Sequence, residues 1–147
     1  MPARDTYHNA VCVALVRDGW TITHDPLRIR LQGGRRNLYV DLGAERLLAA
    51  EKDARKIAVE IKSFAGPSDV REFEEAVGQF VVYARLLRRY HPERTLYLAV
   101  PDFSWRGIFA EEIGQVLLED NTLRVVSFDP EQEKIIQWTP SMPGAPR

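Results

Sequence analysis

The sequence predicts one domain of mixed α/β or α+β class, in which helices flank a mixed β-sheet. Short apolar stretches with the two-residue alternation of strands recur along the chain, and longer segments with helical spacing stand between them. The composition agrees, because 45% of the 147 residues are hydrophobic and 28% are charged, as in globular proteins. We expect residues 1–139 to form this domain and the proline-containing residues 140–147 to be a flexible tail.

The first half of the chain is predicted to contain one helix followed by strands. A stripe of apolar residues at helical spacing predicts the helix over residues 3–18, and Gly19 is placed to end it. The strands are predicted at residues 20–23, 27–31, 38–41, 47–51 and 57–62. Turn residues separate them, at Asp25-Pro26, at Gly33-Gly34 and in the polar segment 52–55. We expect the last two strands to pair in antiparallel fashion, which brings Asp41 close to the end of the second one.

The second half is predicted to alternate helices with strands. A long helix over residues 69–91 follows Gly66-Pro67-Ser68, and Asp69 with Glu72 resembles a capping box at its start. The buried stripe of this helix is predicted to be Val70, Phe73, Val77, Phe80, Ala84 and Leu87. A central strand at 96–100, a helix over 105–119 and strands at 123–128 and 135–138 complete the prediction.

Charge and cysteine content exclude several classes of function. The formal net charge of −1 gives no support to a general electrostatic grip on DNA or anionic lipid, so a nucleic-acid function needs local basic patches or a metal ion. A single cysteine, Cys12, excludes an internal disulfide and a cysteine-based zinc cluster. The sequence shows neither a signal peptide nor an apolar run of membrane-spanning length, so we expect a cytoplasmic protein without a membrane partner.

The segment Val59-Glu60-Ile61-Lys62, read together with Asp41, is the most informative part of the chain. Glu60 and Lys62 are two residues apart in a predicted strand and therefore share one face. One interpretation is a solvent-facing strand with a weak ion pair, and Asp41 is then an ordinary turn residue. The other interpretation is a metal site, and the pattern alone leaves both open.

Phosphodiester cleavage needs a hard cation such as Mg²⁺ or Mn²⁺, held by carboxylates beside an activated water molecule. Asp41 and Glu60 can supply the carboxylates, and the backbone carbonyl of Ile61 can add a third ligand. Lys62 is placed to orient water and to meet the negative charge of the transition state. If Asp41 is not a ligand, Glu51 is the next candidate.

Three further side chains extend this hypothesis. Gln79 and Tyr83 are four residues apart on the long helix and share a face, from which Gln79 can contact a metal-bound water or a phosphate and Tyr83 the DNA backbone. The alternative is a boundary glutamine and a core tyrosine. His8, on the first helix, is a candidate metal ligand or a structural histidine.

Two groups of arginines can line a DNA groove or form ordinary solvated faces. They are Arg28, Arg30, Arg35 and Arg36 in the first half of the chain, and Arg85, Arg88 and Arg89 on the long helix.

The pattern Asp41…Glu60-x-Lys62 followed by Gln79-x-x-x-Tyr83 resembles the PD-(D/E)XK nuclease superfamily, in the subgroup with a Q-x-x-x-Y helix. This resemblance implies a restriction-endonuclease-like core with the order helix, three strands, helix, strand. Val40 stands where that motif often has proline. The first helix of the superfamily often carries an acid or a histidine near the metal ions, and His8 is the best match here.

A second resemblance covers nearly the whole chain. The stretches that carry it are Pro2–His8, Gly19–Pro26, Val40–Arg46, Ala58–Phe64 and Ile136–Trp138, and they resemble the XisH-type fdxN element excision controlling factors of cyanobacteria. This resemblance implies a role in programmed excision of a DNA element and a small companion protein of the XisI type.

Two hypotheses of different classes follow. The leading one is a Mg²⁺-dependent or Mn²⁺-dependent DNA endonuclease in DNA excision or recombination, with Asp41, Glu60, Lys62 and Gln79 as its catalytic residues. The other is a catalytically silent regulatory module that uses the nuclease fold to bind DNA or a XisI-type partner. A homo-oligomer is compatible with both.

Overall fold

The computed structural model describes residues 5–47 and 54–142. This part of the chain forms a six-stranded mixed β-sheet with helices on both faces, accompanied by a two-stranded hairpin. In chain order the elements are α1 (His8–Arg17), β1 (Thr21–His24), β2 (Leu27–Arg30), β3 (Asn37–Val40), β4 (Leu42–Leu47), β5 (Ala54–Ile61), α2 (Asp69–Tyr90), β6 (Arg94–Pro101), α3 (Asp102–Trp105), a 3-10 helix (Ile108–Ala110), α4 (Glu112–Glu119), β7 (Val125–Asp129) and β8 (Lys134–Thr139). The mixed α+β class predicted from the sequence is confirmed.

The large sheet has the strand order β1-β4-β5-β6-β7-β8. Strand β6 runs parallel to both β5 and β7, and the remaining neighbours are antiparallel. The hairpin of β2 and β3 packs on the same face of the sheet as α2, and α1 covers the opposite face. Both faces of β5 are therefore buried, with Ala58 in one core and Ile57, Val59 and Ile61 in the other.

The antiparallel pairing next to β5 is confirmed, but the first strand of the pair lies earlier than predicted. Strand β4 covers 42–47 and starts directly after Asp41, whereas residues 48–51 of the predicted strand lie outside the described residues. The sequence of β4 is Leu-Gly-Ala-Glu-Arg-Leu, without a β-branched residue. It is a strand because β1 and β5 pair with it on both sides, which overrides its weak propensity.

Helix α2 was predicted almost to its ends, but its cap and one edge of its buried stripe were not. Ser68 is the N-cap, because its hydroxyl accepts a hydrogen bond from the Arg71 N–H, while the carboxylate of Glu72 accepts one from the Gly66 N–H. The capping box at Asp69 was therefore wrong by one residue. Val70 is also exposed, at 43%. The buried residues of α2 are Phe73, Ala76, Phe80, Tyr83 and Leu87.

The single helix predicted over residues 105–119 is wrong. The chain instead forms α3, a 3-10 helix and α4 in succession. Gly107 leaves the helical conformation, with φ −98° and ψ −106°, and the 3-10 helix then turns Ile108 and Phe109 into the core. Of the apolar residues in this stretch, Ile108 and Phe109 are buried, whereas Ile113 and Val116 on α4 are exposed, so the apolar spacing did not mark one buried helix face. None of the helices in the described ranges is long and apolar enough to span a membrane.

At the ends of the described ranges, α1 begins at His8 rather than at residue 3, and residues 1–4 are not described. Of the predicted flexible tail, residues 143–147 lie outside the described residues, whereas Met142 is only 4% exposed and packs in the same core as α1.

Substitution of glycine by alanine should have opposite effects on stability at two positions. A Cβ at Gly114 in α4 would lie 2.5 Å from the Cα of Phe109, so we expect Gly114→Ala to lower the free energy of unfolding by about 1–3 kcal/mol. Gly78, inside α2, has no atom of the described residues within 4 Å of such a Cβ, and Gly78→Ala should raise the free energy of unfolding by about 0.5–1 kcal/mol. Urea unfolding of both variants tests the packing of α4, and a neutral Gly114→Ala would contradict it.

Candidate metal centre at the end of strand β5

A cleft of about 220 Å³ opens where β5 ends, between the sheet, strand β3 and α2. It is lined by Asp5, Tyr39, Asp41, Glu60, Ile61, Lys62, Gln79 and Tyr83. Three of these residues lie at the end of one strand. Glu60 and Ile61 are the last residues of β5, and Lys62 follows them. The backbone N–H of Lys62 donates a hydrogen bond to the carbonyl of Ala99. The cleft therefore contains most of the residues that the sequence grouped into one site.

Asp41 and Glu60 hold each other through reciprocal hydrogen bonds to the backbone. The Ile61 N–H donates to Oδ2 of Asp41 at 2.8 Å, and the Asp41 N–H donates to Oε1 of Glu60 at 3.2 Å. The pairing of Leu42 with Val59 sets this geometry, since it places the bend at Asp41 opposite Glu60. One oxygen of each carboxyl group, Oδ1 of Asp41 and Oε2 of Glu60, stays outside these two bonds.

Burial makes the acid pair costly to charge. It raises the pKa of Glu60 to about 8, with the negative charge of Asp41 adding to the rise and Lys62 opposing it. Burial also raises the pKa of Asp41, against the lowering effect of the Ile61 N–H bond. Two neighbouring acids with raised pKa values are typical of sites where a proton or a cation is normally shared.

The solvent-facing interpretation of Glu60 is wrong. Strand β5 lies between β4 and β6 in the sheet, and Glu60 is only 6% exposed because α2 covers that face. Lys62 is the partly open member of the site: its side chain is 32% exposed, and its Nζ lies 4.0 Å from Oε2 of Glu60. A cation at this distance is within reach of both the acid pair and a molecule that enters the cleft.

Gln79 and Tyr83 reach the cleft from α2. The Gln79 amide donates a hydrogen bond to the Tyr83 hydroxyl at 3.1 Å, and both side chains line the cleft. Burial raises the pKa of Tyr83, and the nearby acids Glu60 and Asp41 contribute to the rise. The spacing of four residues thus places both groups beside the acid pair.

His8 does not line this cleft. It is 4% exposed at the start of α1, and its Nε2 lies 2.8 Å from Oδ1 of Asp25. It is still close enough to lower the pKa of Asp41. Asp5, three residues earlier, lines the cleft instead, and its carboxylate accepts hydrogen bonds from the N–H groups of Ser63 and Tyr7. The expectation of an acid or a histidine near the first helix was the sequence signal for this position, and the acid Asp5, three residues before α1, takes it instead of His8.

The arginines predicted to contact DNA are exposed. Arg28 and Arg30 are on the outer face of the β2–β3 hairpin, and Arg36 is in its turn. Arg28 is the cross-strand partner of Tyr39, so the two side chains share a face, and Tyr39 lines the cleft. One predicted arginine thus neighbours the site. The reserve ligand Glu51 lies outside the described residues.

The donor set of the cleft fits a hard divalent cation. Carboxylate oxygens of Asp41 and Glu60 and the backbone carbonyl of Ile61 are the ligand types that Mg²⁺ and Mn²⁺ prefer. The two acids whose pKa values burial raises would regain their charge beside a cation. Asp5 also lines the cleft, so its carboxylate can accept a hydrogen bond from a coordinated water.

The raised pKa of Glu60 predicts how stability depends on pH. Since the value rises from 4.5 to about 8 on folding, the folded protein binds more protons in this range, and the free energy of unfolding should fall as pH increases through it. Glu60→Gln removes the ionisable group. The free energy of unfolding of this variant, relative to that of wild type, should therefore increase from pH 5 to a plateau above about pH 8. Glu75→Gln, which alters an exposed acid on α2, is the control and should show no such trend. A difference between Glu60→Gln and wild type that is constant with pH, in metal-free urea unfolding, would refute the assignment.

The fold and the cleft define a class of protein: a mixed α+β domain with a buried acid pair and a lysine at the end of a central strand. Comparison with known proteins gives the family. The family described as XisH protein matches residues 1–136. The chain belongs to the XisH family.

Two crystal structures resemble the chain over nearly its whole length. One is an XisH family protein from Nostoc punctiforme, with 40% sequence identity and a TM-score of 0.79. The other is an fdxN element excision controlling factor protein from Anabaena variabilis, with 40% identity and a TM-score of 0.80. Each match covers 92% of this chain and 99% of the other. No functionally curated protein matches the chain.

Proposed function

We propose that this XisH family protein is a Mg²⁺-dependent or Mn²⁺-dependent DNA endonuclease of the PD-(D/E)XK superfamily, acting in the cytoplasm in DNA excision or recombination. The observation that carries the proposal is the convergence of Asp41, Glu60 and Lys62 in one cleft, with the two acids linked by reciprocal hydrogen bonds. Asp41 joins this group although it lies 19 positions before Glu60 in the sequence.

The order of elements supports a restriction-endonuclease-like core. Helix α1 precedes the antiparallel strands β1, β4 and β5, and then come α2 and the parallel strand β6. This is the order helix, three strands, helix, strand that the superfamily resemblance implies. The hairpin of β2 and β3 is an insertion in this order, between the first strand and the second.

Six of the cleft residues have a role in the proposed reaction. Asp41, Glu60 and the carbonyl of Ile61 would hold the divalent cation, which supplies Lewis-acid activation of the scissile phosphate and of water. The Lys62 ammonium orients the attacking water and stabilises the negative charge that develops on the phosphate. Gln79, held by Tyr83, donates its remaining amide hydrogen into the cleft, towards water or a phosphate oxygen.

DNA is the proposed substrate for two reasons. The Anabaena relative is named as an fdxN element excision controlling factor, and we infer that the excised element is DNA. The hairpin also exposes Arg28, Arg30 and Arg36, of which Arg28 neighbours the cleft through Tyr39, and they can contact phosphates despite the net charge of −1.

A second candidate function is a catalytically silent module that binds DNA or a XisI-type companion. The net charge of −1 favours it, as does the high pKa of Glu60, because a pair that shares a proton is stable without a cation. In this case the cleft is a structural remnant and the binding surface lies elsewhere on the fold.

A cleavage assay separates the two functions. We expect purified protein with Mg²⁺ or Mn²⁺ to cleave at least one of linear, branched and single-stranded DNA, alone or with a XisI-type companion, and EDTA to stop it. Binding of DNA or of the companion without cleavage under all these conditions would support the silent module instead.

A further inference from the structure

A second group of metal-ligand side chains lies outside the cleft, where the start of α1 meets the turn between β1 and β2. His8 and Cys12 come from the helix and Asp25 from the turn. One imidazole nitrogen, the thiol sulfur and one carboxylate oxygen all lie within 4.8 Å of one another. Nothing in the proposed cleavage reaction uses this group.

The local structure explains why the three side chains meet. His8 and Cys12 are four residues apart on α1, so they project from the same face of the helix. The turn after β1 brings Asp25 against this face, where its Oδ1 lies 2.8 Å from Nε2 of His8. Two contiguous elements therefore supply a nitrogen, a sulfur and an oxygen donor at one point.

His8 offers the group one of its two imidazole nitrogens. The residue is 4% exposed, and Nε2, which faces Asp25, is the nitrogen placed to bind an ion together with that carboxylate. Its lone pair is available when the ring proton is on Nδ1, which is buried and has no hydrogen-bond partner among the described residues. An ion would then replace the hydrogen bond between His8 and Asp25. The other two residues are more open, since Cys12 is half-buried and the Asp25 side chain is 30% exposed, so an ion can enter from solvent.

The dimensions fit a small tetrahedral ion. Ligand bonds of about 2.0–2.3 Å place tetrahedral donor atoms about 3.3–3.8 Å apart. The observed donors lie within 4.8 Å, so side-chain rotations of about an ångström suffice. Mixed nitrogen, sulfur and oxygen donors favour Zn²⁺ and disfavour Mg²⁺, which selects oxygen.

We propose that His8, Cys12 and Asp25 form a Zn²⁺ site, with water as the fourth ligand. The site would pin the first turn of α1 to the β1–β2 turn. The backbone N–H of His8 donates a hydrogen bond to the carbonyl of Asp5, whose side chain lines the cleft. The zinc site would therefore also hold Asp5 in place at the cleft. The proposal is independent of whether the cleft cleaves DNA.

Cobalt spectroscopy provides the test, because Co²⁺ reports thiolate ligation and Cys12 is the sole cysteine of the chain. Titration of the intact protein with Co²⁺ should give one equivalent of tetrahedral ion, with a sulfur-to-cobalt charge-transfer band that Zn²⁺ abolishes and excess Mg²⁺ does not. Cys12→Ser should remove the band. Asp25→Asn and His8→Gln should each weaken binding by more than about tenfold. Asp41→Asn, in the cleft at the end of β5, is the control and should keep both the charge-transfer band and the Co²⁺ affinity of the His8, Cys12 and Asp25 site.

Thermal unfolding completes the test. Zn²⁺ should raise the melting temperature of wild type and of Asp41→Asn, and leave Cys12→Ser and Asp25→Asn unchanged. Asp25 is partly exposed, so its amide variant is expected to fold even if His8→Gln does not. Absence of the band in wild type would overturn the site. An undiminished affinity in Asp25→Asn would overturn it too, because the thiol would then bind metal without the proposed partners.

Discussion

Replacing Lys62 by alanine is expected to lower the rate of metal-dependent DNA cleavage by on the order of 10²–10⁴-fold and to leave the fold intact. The side chain is 32% exposed and contacts Glu60 only at 4.0 Å, so its loss should change the free energy of unfolding by less than about 1 kcal/mol. Cleavage rates at saturating Mn²⁺, together with urea unfolding of both proteins, measure the two effects separately.

Lys56 offers a matched control for this substitution. It lies six residues earlier, inside β5; its side chain is 39% exposed, and its Nζ lies 3.6 Å from Oε1 of Glu45. Lys56→Ala removes the same charge from a position outside the cleft, and it should retain near-normal cleavage. Equal losses in the two variants would show that net charge, and not the position of Lys62, sets the rate.

The second large effect is expected at Asp41, where two substitutions separate the structural role from the chemical one. Asp41→Asn keeps an oxygen that can accept the Ile61 N–H but removes the charge, so we expect Mn²⁺ affinity and cleavage to fall by at least about 100-fold with stability unchanged or higher. Asp41→Ala leaves that N–H without its acceptor and should in addition cost about 1–3 kcal/mol of stability.

Calorimetric Mn²⁺ titration and urea unfolding of both Asp41 variants check this separation. The two variants should lose metal affinity alike and differ in stability. If Asp41→Asn binds Mn²⁺ as tightly as wild type, Asp41 is only the residue that joins β3 and β4, and the metal hypothesis loses one of its two acids.

The part of the candidate site that could be predicted depended on local spacing. Alternation in a strand placed Glu60 and Lys62 on one face, and a four-residue step placed Gln79 and Tyr83 on one side of a helix. Antiparallel pairing next to β5 brought Asp41 opposite Glu60, although the register comes from β4 at 42–47 and not from the predicted strand at 47–51. Short-range periodicity was sufficient because the site lies at strand and helix ends.

Long-range packing decided what could not be predicted. Glu60 is buried because α2 and the hairpin cover one face of β5. No local sequence pattern predicts this packing. His8 faces Asp25 because the β1–β2 turn lies against α1, and Asp5 lines the cleft where His8 was expected. The helix predicted over residues 105–119 is broken at Gly107, because apolar spacing does not distinguish one long helix from a succession of short ones.

The central claim is that Asp41 and Glu60 form a divalent metal site at the end of β5. Locating Mn²⁺ in a crystal structure tests it most directly. Crystals grown with Mn²⁺ should show an anomalous peak in the cleft, about 2–2.5 Å from a carboxylate oxygen of each acid and from the carbonyl oxygen of Ile61. Crystals of Asp41→Asn should lack the peak. A cleft without manganese at millimolar concentration, with the two acids still hydrogen-bonded as they are here, would contradict the account.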